Sequence, residues 1–384
     1  MSPPLVPPID DLSFAPQAVP TLAEAAQALR PYRAVSSLER IDAHAKPEPL
    51  KLDWNESTIA PSALVIERIT RFLGNTHHLN WYPDQRSAEL VDRLTRYTGR
   101  RFDEIVVTNG SDAALDLLCQ TYLDPGDEVV VPAPTYTHFL VYAGARGARI
   151  KQVYGSDPFE LDIETVLAAL TRRTKLVYLV SPNNPTGVVW PASVVARIAR
   201  AAPQAIIVVD EAYYEFCGDS CAPLVDAYSN VVVTRTFSKS FGIAGLRVGY
   251  LMGDERVVAD LRRIHNPKSV NVLGQIAAAA ALDDLEYLYS YVDEVTRAKP
   301  ILVDFLNAQG LPARTTPANF IMVKVPHTGA FSQLCEDESV YIRDRSMQPQ
   351  LERYVRISVG TVAQTRDLVT RLGRVIARMP HVAS

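Results

Sequence analysis

Val231-Val232-Val233-Thr234-Arg235-Thr236-Phe237-Ser238-Lys239-Ser240-Phe241-Gly242 decides the reading of this chain. The valine run reads as a buried strand. The polar run from Thr236 to Lys239 follows at its carboxyl end, where open α/β sheets bind their ligands. Lys239 alone, flanked by hydroxyl residues, is an ordinary surface lysine. Arg247 stands eight residues further on and Asp210 twenty-nine residues before it. Together they offer an amine to hold an aldehyde, a cation for a phosphate and a carboxylate for a ring nitrogen. Pyridoxal phosphate needs all three, bound as a lysine Schiff base with an acidic partner on its pyridinium.

Three upstream strands end the same way. Ile105-Val106-Val107 leads into Asn109-Gly110-Ser111-Asp112, Leu176 to Val180 into Asn183-Asn184-Pro185-Thr186-Gly187, and Ile206 to Val209 into Asp210-Glu211-Ala212-Tyr213. Any one of these is routine turn chemistry. Four in series, each with its own task on one ligand, are not. Gly110 allows a tight turn that aims the amides of Ser111 and Asp112 from a helix N-terminus, an anion site for the cofactor phosphate. Arg247 and the Ser238 hydroxyl complete it, because a guanidinium matches phosphate oxygens. Asp210 is expected under the pyridine nitrogen, Asn184 and Tyr213 beside the phenolic oxygen, and Tyr136 stacked on the ring. Thr236 belongs to the same cofactor set. Lys239, Asp210 and Tyr213 are the catalytic candidates.

With 384 residues the chain has room for two cores. Its 47% hydrophobic and 21% charged content is that of an ordinary globular protein, and a net charge of −4 gives no footprint for nucleic acid. Four cysteines show no zinc framework, and no metal site is expected. No stretch approaches the length of a membrane span. No Lys or Arg precedes Arg30, which argues against a secretory signal, so a cytoplasmic enzyme is the simplest assignment.

Six prolines make residues 1–20 an extended arm. A short amphipathic helix carrying Leu22, Ala25, Ala26 and Leu29 opens residues 21–61, the N-terminal part of a small domain. Alternating helix and strand patterns over 62–285 predict a large α/β domain, with a mostly parallel sheet covered by helices on both faces. Its further strands are Val129 to Val131 and Val248 to Met252, and an alanine-rich helix follows Pro267. A long amphipathic helix (Leu285, Leu288, Val292, Val295) leads into residues 286–384. These form a smaller α+β unit with strands at Phe320 to Val325 and Val355 to Val359.

As a set these residues resemble the pyridoxal-phosphate aminotransferases of fold type I, and Thr236 to Gly245 fits the class-II lysine pattern at every position. Within that class the chain is similar to the histidinol-phosphate aminotransferases from about Leu29 to Gly373. The likeness rests on Arg30-Pro31-Tyr32, Leu52-Asp53-Trp54-Asn55-Glu56 and Tyr82-Pro83-Asp84, together with Pro317-Ala318-Asn319-Phe320, Ile342-Arg343-Asp344-Arg345-Ser346 and Val355 to Gly360. The resemblance implies a homodimer in which Tyr82 reaches the partner's cofactor phosphate. It implies that Arg356 binds the substrate α-carboxylate with Asn319 beside it. It puts Asn55 in the substrate region, and Tyr32 and Arg343 near the substrate side chain and its phosphate. The reaction implied is transamination between histidinol phosphate and 2-oxoglutarate, with Lys239 moving the proton. Two departures stand out. Ser57-Thr58-Ile59-Ala60 replaces the family's usual run after Asn55-Glu56, and Ala113 replaces a common acidic residue. The first keeps open an aromatic or specialised amino-acid aminotransferase. A phosphothreonine-type decarboxylase resembles the same family. A cofactor-bearing regulator would need a DNA-binding region, and the proline-rich arm has no place for one.

Overall fold

The protein is described by a computed structural model over residues 21–29, 37–41, 47–75 and 78–379. The expectations for the proline-rich arm and for Tyr32 lie outside these residues. The thirteen described strands are β1 (Leu50–Lys51), β2 (Ile105–Thr108), β3 (Glu128–Ala133), β4 (Arg149–Tyr154), β5 (Thr174–Val180), β6 (Ile206–Asp210), β7 (Val231–Thr236), β8 (Gly249–Gly253), β9 (Ala313–Thr315), β10 (Phe320–Lys324), β11 (Val340–Tyr341), β12 (Arg343–Asp344) and β13 (Tyr354–Ser358).

Seven of them form one sheet in the order β2-β8-β7-β6-β5-β3-β4. β8 runs antiparallel to both neighbours, and every other pairing is parallel. The alternation of side chains along each strand builds two cores. Ile207, Val209, Val231 and Val233 face one, with helices Ala88–Thr98, Ala192–Ala201 and Val272–Leu282. Val208, Val232, Leu176 and Tyr178 face the other, with helices Ser111–Tyr122, His138–Ala145 and Glu255–Leu261. The result is the expected α/β sandwich. The unexpected strand is β4, which carries Arg149, Lys151 and Gln152 at the sheet edge, where Lys151 pairs with Glu128. Apolar content could not reveal it, because an edge strand needs little.

The second unit has the antiparallel order β12-β13-β10-β9, packed on helices Leu285–Ala308, Thr328–Asp337 and Val362–Ala377. β1 pairs in parallel with β11, which stitches the segment before residue 62 into this unit. Helix Leu285–Ala308 places Leu288 in the large core and Tyr291, Val295 and Leu302 in the small one, so it joins the two. The helix expected around Leu22 to Leu29 is a single turn, Glu24–Gln27, with no side-chain cap to extend it.

Candidate active site

Because β2, β5, β6 and β7 point the same way, the turns after them gather on one edge of the sheet. Gly110 stands before helix Ser111–Tyr122 at φ 79°, ψ 164°, with no side-chain cap, so the first amides of that helix are left open. A Cβ on Gly110 would lie 2.6 Å from Nη2 of Arg247, and a Cβ on Gly249 would lie 2.4 Å from the Ser111 nitrogen. Both glycines let β8 and Arg247 close on this turn. Arg247 donates to Ser238 Oγ at 3.2 Å and pairs with Asp112 Oδ2 at 3.4 Å. The other oxygen of Asp112 accepts from the Tyr136 hydroxyl at 2.8 Å.

Lys239 donates from Nζ to the Trp54 carbonyl at 2.9 Å and stands 6.0 Å from the Tyr213 ring centre. Burial pushes its amine down to about 8, and the charge of Arg356 acts in the same direction. Asp210, the last residue of β6, is buried and accepts from the Tyr178 hydroxyl at 2.8 Å and the Ala212 amide at 3.2 Å. Burial lifts its carboxyl to about 6, with Asp112 adding to the rise and the Tyr178 hydroxyl opposing it. Residues of the second unit and of the segment before residue 62 supply the opposite wall. Asn55 donates from Nδ2 to the Tyr213 hydroxyl at 2.9 Å and is itself held by Ser358 and by Nδ2 of Asn319. Arg356 donates from Nη1 to Asn184 Oδ1 at 2.6 Å and from Nη2 to the Asp53 carbonyl. An arginine only donates, so the Asn184 carbonyl must face it and the Asn184 NH2 group is turned elsewhere.

These groups suit pyridoxal phosphate. Asp210 is a buried carboxylate with no ion-pair partner among the described residues, which fits a pyridinium nitrogen. The Gly110 turn with Arg247 and Ser238 forms an anion cradle that a single added Cβ would fill. Lys239 carries an amine that burial makes easier to deprotonate than an ordinary lysine. Such a lysine, carboxylate and cradle on the carboxyl edge of a mostly parallel sheet define a pyridoxal-phosphate enzyme of fold type I.

The chain belongs to the family of class I and II aminotransferases, which matches residues 47–372. It is 37% identical over 341 residues to a dihydroxyacetone phosphate transaminase of Campylobacter jejuni, covering 87% of this chain and 92% of that one. It is 36% identical over 352 residues to a histidinol-phosphate aminotransferase of Halorubrum lacusprofundi, covering 90% and 94%. The crystal structure of histidinol-phosphate aminotransferase from Sinorhizobium meliloti in complex with pyridoxal-5'-phosphate superposes with a TM-score of 0.81 at 28% identity, covering 94% of this chain and 98% of that one. The protein is a pyridoxal-phosphate-dependent aminotransferase.

The remaining candidates lie as follows. Thr236 accepts the Ser238 amide on its hydroxyl at 3.1 Å, which shapes the lysine turn. Tyr82 is 78% exposed, with Lys268 4.7 Å from its ring centre. Arg343 on β12 stands directly opposite Arg356 on β13. Several neighbours have roles that the sequence did not assign. Tyr178 holds Asp210 from within the apolar run Leu176 to Val180, and its hydroxyl in that run was the available signal. Asn183 fixes the loop before Tyr136 by accepting from Thr135 Oγ1 at 2.6 Å and donating to the Pro134 carbonyl. The Trp54 contact is made through the backbone, so no residue type announced it.

Proposed function

We propose that the protein is a histidinol-phosphate aminotransferase, moving an amino group from histidinol phosphate to 2-oxoglutarate. The observation that carries this reading is the register of β12 on β13, which sets Arg343 directly opposite Arg356. Residues opposed on antiparallel strands share one face of the sheet, and like charges there repel. A phosphate dianion between them turns that repulsion into attraction. A single carboxylate needs only one of them. Relatives named for histidinol phosphate and for dihydroxyacetone phosphate both act on a phosphate monoester, which agrees with such a pair. The Campylobacter relative supports a second reading, in which dihydroxyacetone phosphate is the amino acceptor.

When bound, pyridoxal phosphate supplies an electrophilic carbon for the substrate nitrogen and a ring that takes up the electron pair released at the α-carbon. Lys239, with its amine near 8, takes a proton from that carbon and returns one nearby, acting as base and then acid. Asp210 would hold a proton on the ring nitrogen of the bound cofactor by charge attraction. The Asn184 NH2 group and the Tyr213 hydroxyl, held by Arg356 and Asn55, would donate to the phenolic oxygen of the bound cofactor. Arg356 orients the acidic end of each substrate. Asn319 buttresses Asn55, and its buried Oδ1 has no partner among the described residues.

The protein acts as a homodimer in this reading. Leu79 and Trp81, just before Tyr82 in sequence, and Ile66 and Leu73 on helix Ala63–Gly74 are large apolar side chains left exposed, which supports a surface covered by a second copy. No helix among the described residues is long and apolar enough to cross a membrane, and we place the enzyme in the cytoplasm. The test mixes holoenzyme with histidinol phosphate, glutamate or aromatic amino acids, and follows loss of the visible cofactor band. Histidinol phosphate should react fastest. Arg343→Gln should weaken that reaction by about 10–100-fold, the worth of one charge-assisted contact. It should leave the glutamate half-reaction within about threefold. Inert histidinol phosphate together with rapid amination of dihydroxyacetone phosphate would select the second reading.

A further inference from the structure

Two buried polar ties run from the segment after β6, one to the end of β7 and one to the turn beyond it, and neither belongs to the cofactor set. In the first, Arg235 donates from Nε to Glu211 Oε2 at 2.9 Å and from Nη2 to Ser220 Oγ at 2.8 Å, with its guanidinium 3.4 Å from the Tyr214 ring centre. In the second, Ser240 Oγ donates to Glu215 Oε2 at 2.9 Å, and the Tyr97 hydroxyl donates to Glu215 Oε1 at 3.2 Å. Glu215 and Ser240 are 6% and 4% exposed, so this is an interior contact. Sequence position gives the ties their meaning. Glu211 adjoins Asp210, Ser240 adjoins Lys239, and Glu215 lies two residues beyond Tyr213.

We propose that Glu215 is a positioning residue for the reaction, acting on Lys239 through Ser240. The carboxylate anchors the backbone next to Lys239 against the turn that presents Asp210 and Tyr213. The spacing between the proton-carrying amine and the groups facing the ring is thereby fixed from below. A buried carboxylate is costly unless it is fully hydrogen-bonded, and an apolar side chain would fill the same space at less cost. Glu215 meets that condition with two hydroxyl donors; burial pushes its carboxyl above the ordinary range, and the nearby positive charge of Arg235 opposes that rise. Tyr250 and Tyr289 are the other titratable neighbours in the cluster. Glutamine in place of Glu215 keeps an acceptor for Ser240 and removes the charge; alanine removes both.

The inference rests on Lys239 as the cofactor-holding lysine and is independent of the amino donor. The experiment compares wild-type holoenzyme with S240A, E215Q, E215A and S240A/E215A. It measures kcat and KM, the pH midpoint of the visible cofactor band, and hydrogen exchange of residues 236–243. S240A and E215A should each lower kcat by about 10–100-fold, as misplacement of a reacting group by a fraction of an ångström to an ångström does, with KM within about threefold. Both should shift the midpoint and speed exchange. E215Q should recover most of the rate, and E215A should add little in the S240A background, because partners in one tie do not add. An S240A enzyme equal to wild type in all three readouts overturns the proposal, and this holds even if E215A fails to fold. Independent, multiplying losses overturn it too. A wild-type protein that takes up no pyridoxal phosphate would instead sink the cofactor assignment.

Discussion

Replacing Gly110 by alanine tests the phosphate cradle at its tightest point. The residue occupies φ 79°, ψ 164°, a backbone region open in practice only to glycine. Alanine there costs about 1–3 kcal/mol of folding free energy. The new Cβ would also lie 2.6 Å from Nη2 of Arg247, so the guanidinium must leave its place beside Ser238 and Asp112. Losing one charge-assisted hydrogen bond to the phosphate costs about 1.5–3 kcal/mol, which is roughly 10–150-fold in affinity. The two effects separate in the assay. Backbone strain lowers the Tm of the apoprotein, whereas weakened binding narrows the gap between apo and holo Tm and raises the Kd in a pyridoxal phosphate titration. Gly373→Ala is the control, because nothing lies within 4 Å of its Cβ position and the residue is helical. It should leave Kd unchanged and raise stability by up to about 1 kcal/mol. A G110A protein that binds the cofactor within about threefold of wild type refutes the cradle.

Lys239→Ala should abolish steady-state transamination while leaving the apoprotein folded, and turnover by the variant would remove Lys239 from the proton transfer. In the apoprotein the rate of combination with pyridoxal phosphate should rise with pH around 8, because the neutral amine is the nucleophile. Arg356→Gln should move that midpoint upward, since it removes a positive charge that disfavours the ammonium. Lys299 is a second buried lysine, pushed down to about 8 by burial and held by the Thr316 carbonyl at 2.9 Å. Its folded pKa lies below its unfolded value of 10.5, so it opposes folding most strongly below pH 8, and this opposition fades as pH rises from 8 through 10.5. Lys299→Met should therefore stabilise the protein by up to about 3 kcal/mol at pH 7. That gain should shrink in denaturant titrations at pH 10, and a constant gain would contradict the assignment.

The sheet was legible wherever its strands are buried on both faces, because only then is an apolar run obligatory. β6 and β7 announce themselves by Ile206 to Val209 and Val231 to Val233, whereas β4 at the edge carries Arg149, Lys151 and Gln152 and has no fully buried residue. The cofactor residues were legible for a related reason. Pyridoxal phosphate presents an aldehyde, a phosphate and a ring nitrogen, and each demands a particular side-chain type at a strand end. Lys239, Arg247 and Asp210 meet those demands within a short span of sequence.

What the sequence hid is the support beneath those residues, and the reason is physical. Glu211, Glu215 and Arg235 are charged, and charged residues are ordinarily placed at the surface. Only folding brings the Arg235 guanidinium between them and seals all three away from water. Asn55 and Ser358 are 303 residues apart, yet Ser358 Oγ both receives the Asn55 amide and donates to Asn55 Oδ1. That clamp lets Asn55 hold a left-handed φ of 56° and aim its NH2 group at Tyr213. Thr58 behaves alike, bonded through its hydroxyl and carbonyl to Gln364 and through its amide to the Tyr291 hydroxyl. The departure at Ser57-Thr58-Ile59-Ala60 thus has a structural counterpart. It ties the segment beside the site to helices Leu285–Ala308 and Val362–Ala377, which fixes Asn55 and the Trp54 carbonyl relative to those helices.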